Sequence, residues 1–299
     1  VFAGHHNNYE ENLLMKRILT AALLASLMAT PALGAELTGK LKSISDSKTI
    51  LIGHRTESIP FSFVDTSGEP MGYSIDLCKR VAAGIQQQLK LPKLDVKFIP
   101  LTAENRFEKV ANGDVDIECG NSSDTISRQK IVDFSLATWV DGGNFLVKGE
   151  TEVKSLTEMA GKKIGVVAGN TTETALKAWM EKNMVTFQLV PVMTHIDGME
   201  KLNSGAIDAY AADQTVLIGL VASAPKGLRF NIAPNTFSYE PYALVVPRND
   251  ADFKQAVNRV LAQLYRTGEI MSVYNTWFGK FGKPPMALMV MYQLNALPE

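Results

Sequence analysis

The sequence predicts an α/β protein whose chain builds two successive units that face each other across one cleft. Three observations point there. The stretch from Thr49 to Gly120 reads strand, helix, strand, helix, strand, the rhythm of a parallel sheet with crossover helices. The same rhythm restarts at Lys163 and runs to Ala211. Asn203-Ser204-Gly205-Ala206-Ile207-Asp208 echoes Ala111-Asn112-Gly113-Asp114-Val115-Asp116 as a helix end, a glycine turn and a short strand, an architectural repeat with little identity.

Each element has its own signal. Thr49-Ile50-Leu51-Ile52-Gly53 is a short β-favouring apolar run, and Gly68 and Gly72 mark turns after it. Ser74 to Leu89 carries helical apolar spacing. Leu94, Val96 and Phe98 alternate as one face of a strand. Asn105 to Ala111 reads as a short helix closed by Asn112-Gly113, and Val115 and Ile117 lead as a strand into Cys119-Gly120. In the second unit, Lys163–Val167, Phe187–Val192 and Ala206–Ala211 read as strands, and Thr172–Met180 and Gly198–Asn203 as helices. Thr138 to Val147, with Gly142-Gly143, and Thr236 to Val246 read as the two connections between the units. Asp252 to Thr267 is helical, with Phe253, Val257, Val260, Leu261 and Leu264 on one face, and is expected to rejoin the first unit. Ligands of open α/β sheets sit beyond the carboxyl ends of the strands, so two facing units would share one site.

Bulk properties agree with such a protein. The chain has 299 residues, room for two modest domains, with 46% hydrophobic and 20% charged residues. A net charge of -1 supplies no field for nucleic acid or an anionic membrane. Residues 15–34 have the layout of a secretory signal peptide: Met15-Lys16-Arg17, an apolar run from Ile18 to Ala29, then Pro31-Ala32-Leu33-Gly34-Ala35. Cleavage is expected after Gly34, with Ala35 as the alternative; a buried N-terminal helix is the competing reading. No cysteine follows the cleavage site, which argues against a lipid anchor. Residues 1–14 are expected to be upstream leader, since Met15 reads as the initiator, and His5 and His6 are weak metal candidates for that reason. Without residues 1–34 the charge stays at -1, and the product is expected to be soluble and exported, to the periplasm.

Cys78 and Cys119 allow a disulfide in an oxidising compartment. Cys78 also shares a helical stripe with Val81, Ala82, Ile85 and Leu89, so a buried free thiol is equally open.

Several motifs occur in a specific order: Gly53-His54-Arg55, Pro60-Phe61-Ser62-Phe63, Gly72-Tyr73-Ser74-Ile75-Asp76, Asn105-Arg106, Asp116-Ile117-Glu118-Cys119-Gly120, Ser127-Arg128-Gln129-Lys130, Asp133-Phe134-Ser135 and Gly165 to Thr172. Together they resemble the extracellular solute-binding proteins of amino-acid ABC importers, in the glutamate/aspartate-binding branch, over nearly the whole mature chain. The resemblance implies the two-lobed type II periplasmic-binding-protein fold. Each lobe would be a mostly parallel sheet flanked by helices, joined by two hinge strands, with residues 35–138 and 241–299 in lobe 1 and 139–240 in lobe 2. It also implies a monomer that delivers a small amino acid to permease subunits, without catalysis, cofactor or metal.

Residue chemistry fits. A ligand α-carboxylate wants an arginine fork, and Arg128 matches the family's carboxylate-binding arginine, with Ser123 as an added donor. Asn170 and Thr171 open a helix after a strand, where free N–H groups favour an anion; simple N-capping by Asn170, with Glu173 closing a capping box, is the plainer reading. The ligand ammonium wants an acceptor, and Asp213 matches the family's amino-group carboxylate, assisted by Asn121. Arg55, Arg106 and His195 match side-chain-binding positions of the acidic branch, with imidazolium as one possible state of His195. Two arginines in one cleft would be costly to leave unpaired beside a neutral ligand. Ala103 stands where close relatives carry a serine, Asn121 where they often carry serine, and Asn170 replaces a threonine, so the choice among glutamate, aspartate and an amide stays open. The competing functions are a cyclohexadienyl dehydratase-like enzyme, which needs a general acid beside a carbocycle, and a sensor domain, for which no transmembrane segment follows.

Overall fold

The computed structural model describes residues 36–149 and 152–299. The expected leader (1–14) and signal segment (15–34) lie outside them. Gly39–Glu299 forms one unit containing two five-stranded sheets.

The first sheet grows from β1 (Thr49–His54), whose Ile50 and Ile52 are fully buried. It pairs in parallel with β5 (Asp95–Pro100) on one side and β6 (Ile117–Glu118) on the other. Two long strands complete the order β5-β1-β6-β13-β7: β13 (Glu240–Val246), antiparallel to both neighbours, and β7 (Asp133–Asp141). Four of the five strands therefore point the same way, which gathers their carboxyl ends at one edge. Helices α1 (Gly39–Ser47), α2 (Tyr73–Gln88) and α3 (Arg106–Ala111) belong to this half. α2 buries Cys78, Val81, Ala82 and Ile85 of the expected stripe and Ile75 besides, while Leu89, the last of that stripe, is the half-buried C-cap residue. A small antiparallel sheet, β2 (Glu57–Ser58), β3 (Ser62–Val64) and β4 (Pro70–Met71), was not foreseen because its strands are too short to show a period.

The second sheet repeats the plan in the order β10-β9-β11-β8-β12. Its parallel strands are β9 (Lys163–Val167), β10 (Gln188–Val192) and β11 (Ala209–Asp213); β8 (Gly143–Lys148) and β12 (Phe230–Ile232) complete it. Its helices are α4 (Thr171–Asn183), α5 (His195–Ser204) and α6 (Gln214–Ser223). Three boundaries differ from expectation by three residues, the first being the end of α4, which runs past Met180 to Asn183. α5 starts three residues early because the Thr194 hydroxyl caps it, accepting from the Asp197 N–H at 3.0 Å. β11 starts three residues late, after the Gly205 αL cap, in register with β9 from Ala209.

The chain leaves the first sheet after Asp141 and re-enters it at Glu240. Gly142 is needed at the crossing: a Cβ there would lie 2.5 Å from the Ser238 carbonyl oxygen of the returning segment. Helices α7 (Ala251–Thr267), α8 (Ile270–Phe278) and α9 (Met286–Leu294) return to the first half, α7 against α2 and β7. Phe278 stacks on Trp139 of β7 at 4.2 Å between centroids. Cys78 of α2 is disulfide-bonded to Cys119 just after β6, which decides between the two readings of these cysteines.

Candidate functional site

The carboxyl ends of the parallel strands of both sheets meet at one pocket. Arg55, Arg106, Asn121, Ser123, Arg128, Asn170, Thr171 and Asp213 line it, eight of the nine residues expected to bind, together with Thr172. Each is placed by a local feature. Arg55 follows β1, and its backbone N–H donates to Ser62 Oγ at 2.9 Å. Arg106 opens α3, with Nε donating to Ser122 Oγ at 3.0 Å and Nη1 to the Ala103 carbonyl. Arg128 opens a 3-10 turn (Arg128–Lys130) and donates from Nη1 to the Ser123 carbonyl at 2.8 Å. The Phe107 ring lies 4.4 Å from the Arg106 guanidinium and 4.6 Å from that of Arg128, fixing both planes by cation–π contact.

Three arginines share one buried volume, and the electrostatics show the strain. Burial, then the charge of Arg128, pulls the Arg106 pKa down to about 9. Burial also lowers Arg55 and Arg128. A dicarboxylate would relieve this; an uncharged ligand would not.

The acceptor end is Asp213, the last residue of β11. It accepts from Thr172 Oγ1 at 3.1 Å and from the Tyr242 hydroxyl. Tyr242 also reaches Asp141 at 3.4 Å, and Asp141 accepts from the Thr215 N–H. Burial raises both carboxyls; the neighbouring Asp213 raises Asp141 further, and Glu240 raises Asp213. Asn121 sits beside the Tyr242 hydroxyl. Ser123, from the first half, donates to Glu240 Oε2 at 2.5 Å and lies 3.4 Å from Thr171 Oγ1 of the second, so the halves touch across the pocket.

Two expectations are corrected. Asn170 occupies the N-cap position of α4 but makes no side-chain cap bond, and Glu173 accepts from the Gly169 N–H at 2.9 Å in place of a capping box. The Asn170 Oδ1 is buried with no partner among the described residues. His195 is not a pocket-lining residue. Its ring is buried against Tyr210, Nδ1 to Oη 2.6 Å, and its backbone N–H donates to Glu57 Oε1 at 3.3 Å. Burial and then Arg55 push its pKa down to about 3, so it stands as neutral imidazole at physiological pH; an imidazolium would need the ligand's own charge. Arg55 also borders a wider pocket of about 210 Å³ with Ala103 and Thr194. Among the described residues no cluster of three metal-ligating side chains is present.

Residues 50–280 match the model of the bacterial extracellular solute-binding proteins, family 3. The chain belongs to that family. The L-glutamate/L-aspartate-binding protein of Pseudomonas aeruginosa is 34% identical over 279 residues, 93% of this chain and 92% of that protein. The glutamate/aspartate import solute-binding protein of Escherichia coli K12 is 31% identical, covering 93% and 92% of the two chains. Among solved structures, an ancestral amino acid-binding protein described as a precursor of cyclohexadienyl dehydratase superposes with a TM-score of 0.70 at 26% identity, over 80% of this chain and all of that one.

This family 3 solute-binding protein holds further site residues that sequence reading did not single out. Thr172, Glu240, Tyr242 and Asp141 surround the acceptor end, and Glu118 lies beneath the arginines. Glu240 and Tyr242 open β13 after a long connection, so their approach to Asp213 is a product of the second crossing and left no local signal. Glu118 had one: a carboxylate between Ile117 and Cys119 in a buried strand is out of place unless it faces charge.

Proposed function

We propose that this protein is the periplasmic, non-enzymatic capture component of an amino-acid ABC importer, binding L-glutamate or L-aspartate between its halves and delivering it to membrane permease subunits as a monomer. The observation that carries the reading is the convergence of Arg55, Arg106, Arg128 and Asp213 on one pocket between two sheets. Arg128, with Ser123 and the N-terminus of α4 at Asn170 and Thr171, fits an α-carboxylate. Asp213 fits the ammonium, with Asn121 alongside. Arg106 and Arg55 fit a distal carboxylate. His195 acts through Arg55 and Tyr210 rather than by direct contact. The lobes are residues 35–138 with 241–299, and 139–240. The signal peptide of residues 15–34 accounts for export. The names of the Pseudomonas and Escherichia relatives support the same ligand class.

A calorimetric screen of the processed protein against the common amino acids tests this. Glutamate and aspartate are expected to bind far more tightly than glutamine and asparagine. Tight binding of a neutral or amide amino acid, with none of glutamate, would reject the acidic preference. The ancestral dehydratase precursor makes turnover of prephenate or arogenate the second readout; turnover would replace the binding reading with an enzymatic one.

A further inference from the structure

Glu118 ends β6 at the centre of the first sheet and is fully buried. Neither carboxylate oxygen has a hydrogen-bond partner among the described residues. The Ser122 hydroxyl, which accepts from Arg106 Nε and keeps its own proton, lies near enough to favour the anion without meeting either oxygen in bonding geometry. The backbone is shaped around this side chain: a Cβ at Gly120 would lie 2.2 Å from Glu118 Oε1. Glu118 is the carboxylate whose charge reaches all three arginines, Arg55, Arg106 and Arg128. Asp213 acts on Arg106 and Arg128, Glu240 on Arg128 and Glu57 on Arg55.

We propose that Glu118 is the internal counter-charge of these arginines and a specificity-determining residue, taking up a proton when a ligand brings a second carboxylate to them. The inference rests on the acidic-amino-acid reading above. Charge balance and hydrogen bonding argue it. The three guanidinium groups face Glu118, Asp213, Glu240 and Glu57, with Asp141 behind Asp213. A neutral amino acid leaves the balance unchanged, whereas glutamate or aspartate adds one net negative charge in a desolvated volume. The carboxylate that yields is the one whose anion is held least by donors. Asp213 accepts from Thr172 and Tyr242, and Glu240 accepts from Ser123 and Ser238. Glu118 accepts from none. Burial already raises its pKa against the pull of Arg106, the Ser122 hydroxyl, Arg55 and Arg128, and a ligand carboxylate on those arginines weakens their share of that pull. The proton comes from solvent, so an acidic amino acid is captured together with a proton and a neutral one is not.

The test is calorimetry of the processed chain with L-glutamate, in buffers of different ionisation enthalpy near neutral pH, giving protons taken up per ligand. Uptake is expected in the wild type, with the Kd tightening as pH falls, by at most about tenfold per pH unit. The ligand-bound state holds the extra proton, so lower pH favours it. Glu118→Gln is expected to abolish the uptake and flatten the pH profile, a result that a purely structural role would not produce. His195 also faces Arg55, so His195→Gln is the control and is expected to retain the uptake. Glutamate binding without proton uptake, uptake that survives in Glu118→Gln, or uptake that vanishes in His195→Gln would each overturn the proposal. Should Glu118→Gln fail to fold, Glu118→Asp replaces it, expected to shift the pH midpoint of the uptake, and Asp141→Asn is expected to leave the uptake in place; an unmoved midpoint in Glu118→Asp or loss of uptake in Asp141→Asn would overturn the proposal. Failure of the wild type to bind glutamate or aspartate at all would sink the function proposed above, whereas binding without a proton sinks this inference alone.

Discussion

Arg106 concentrates the electrostatic problem of the site. It is buried, repelled by Arg128 and held by Ser122, the Ala103 carbonyl and the Phe107 face. Truncating one partner of a buried charge pair costs about 2–5 kcal/mol, so Arg106→Ala is expected to weaken glutamate by that amount and glutamine by much less. An unchanged glutamate Kd by calorimetry would remove Arg106 from the distal site. Arg128→Ala is expected to abolish binding of every amino acid, because the α-carboxylate is common to all. Gly120 makes a different kind of demand. Its added Cβ would strike Glu118 Oε1 at 2.2 Å and Arg55 Cγ at 3.1 Å, so the buried carboxylate would have to shift from its place beneath the arginines. Gly120→Ala is expected to cost about 1–3 kcal/mol of stability, seen as a lower Tm. At this scale the sequence was informative where chemistry is local. Arginines after a strand and at a helix start, and a carboxylate ending a strand, announced the site. Side chains that reach the site only across the fold, such as Tyr242 to Asp213, left no such trace.

Elements with one buried face and one exposed face were legible, and those buried all round were not. α2 and α7 show apolar stripes and were expected within one residue of their observed bounds. α6 (QTVLIGLVAS) is apolar nearly throughout, so it offers no stripe to read. β5 shows the converse. Leu94, Val96 and Phe98 alternate, yet Val96 is 37% exposed, because β5 is the edge strand of its sheet. The disulfide joins α2 to the end of β6, at a sequence separation of 41 that encloses β5 and α3, and so braces the strand carrying Glu118 and closes the chain segment that carries Arg106 on α3. Closing a loop of that size stabilises by about 2–4 kcal/mol. Reduction with dithiothreitol, or the double substitution Cys78→Ala/Cys119→Ala, is expected to lower the Tm by a corresponding amount while preserving the order of ligand preference. A Tm insensitive to reductant would show that the bond contributes nothing.

For the whole molecule, the crossing between the sheets is where charge and architecture meet. Asp141 ends the outgoing strand, Asp213 ends β11, and Tyr242 of the returning strand bonds to both. Both carboxyls are raised, so the folded protein binds protons that the unfolded chain has lost, and stability falls as pH rises through that range. His195 works the other way: its lowered pKa means that only the unfolded imidazole is protonated below about pH 6.5, and stability is lost as pH falls there. Above about pH 6.5 the carboxyl effect is left unopposed by His195. The Tm of the ligand-free protein is therefore expected to decline toward about pH 8, and Asp141→Asn to flatten that decline. A wild-type Tm that rises over this interval would contradict the assignment. The sequence by itself determined the two α/β units, their order, the doubled glycine at the crossing and the arginines at strand and helix ends, because hydrophobic period and turn chemistry are local properties. Only the tertiary structure decided that Cys78 meets Cys119, that His195 stays behind the pocket wall, and that Glu118, Glu240 and Asp141 join the site. Those pairings depend on strands brought together after long excursions of the chain, and burial sets the protonation of groups whose neighbours lie far away in sequence.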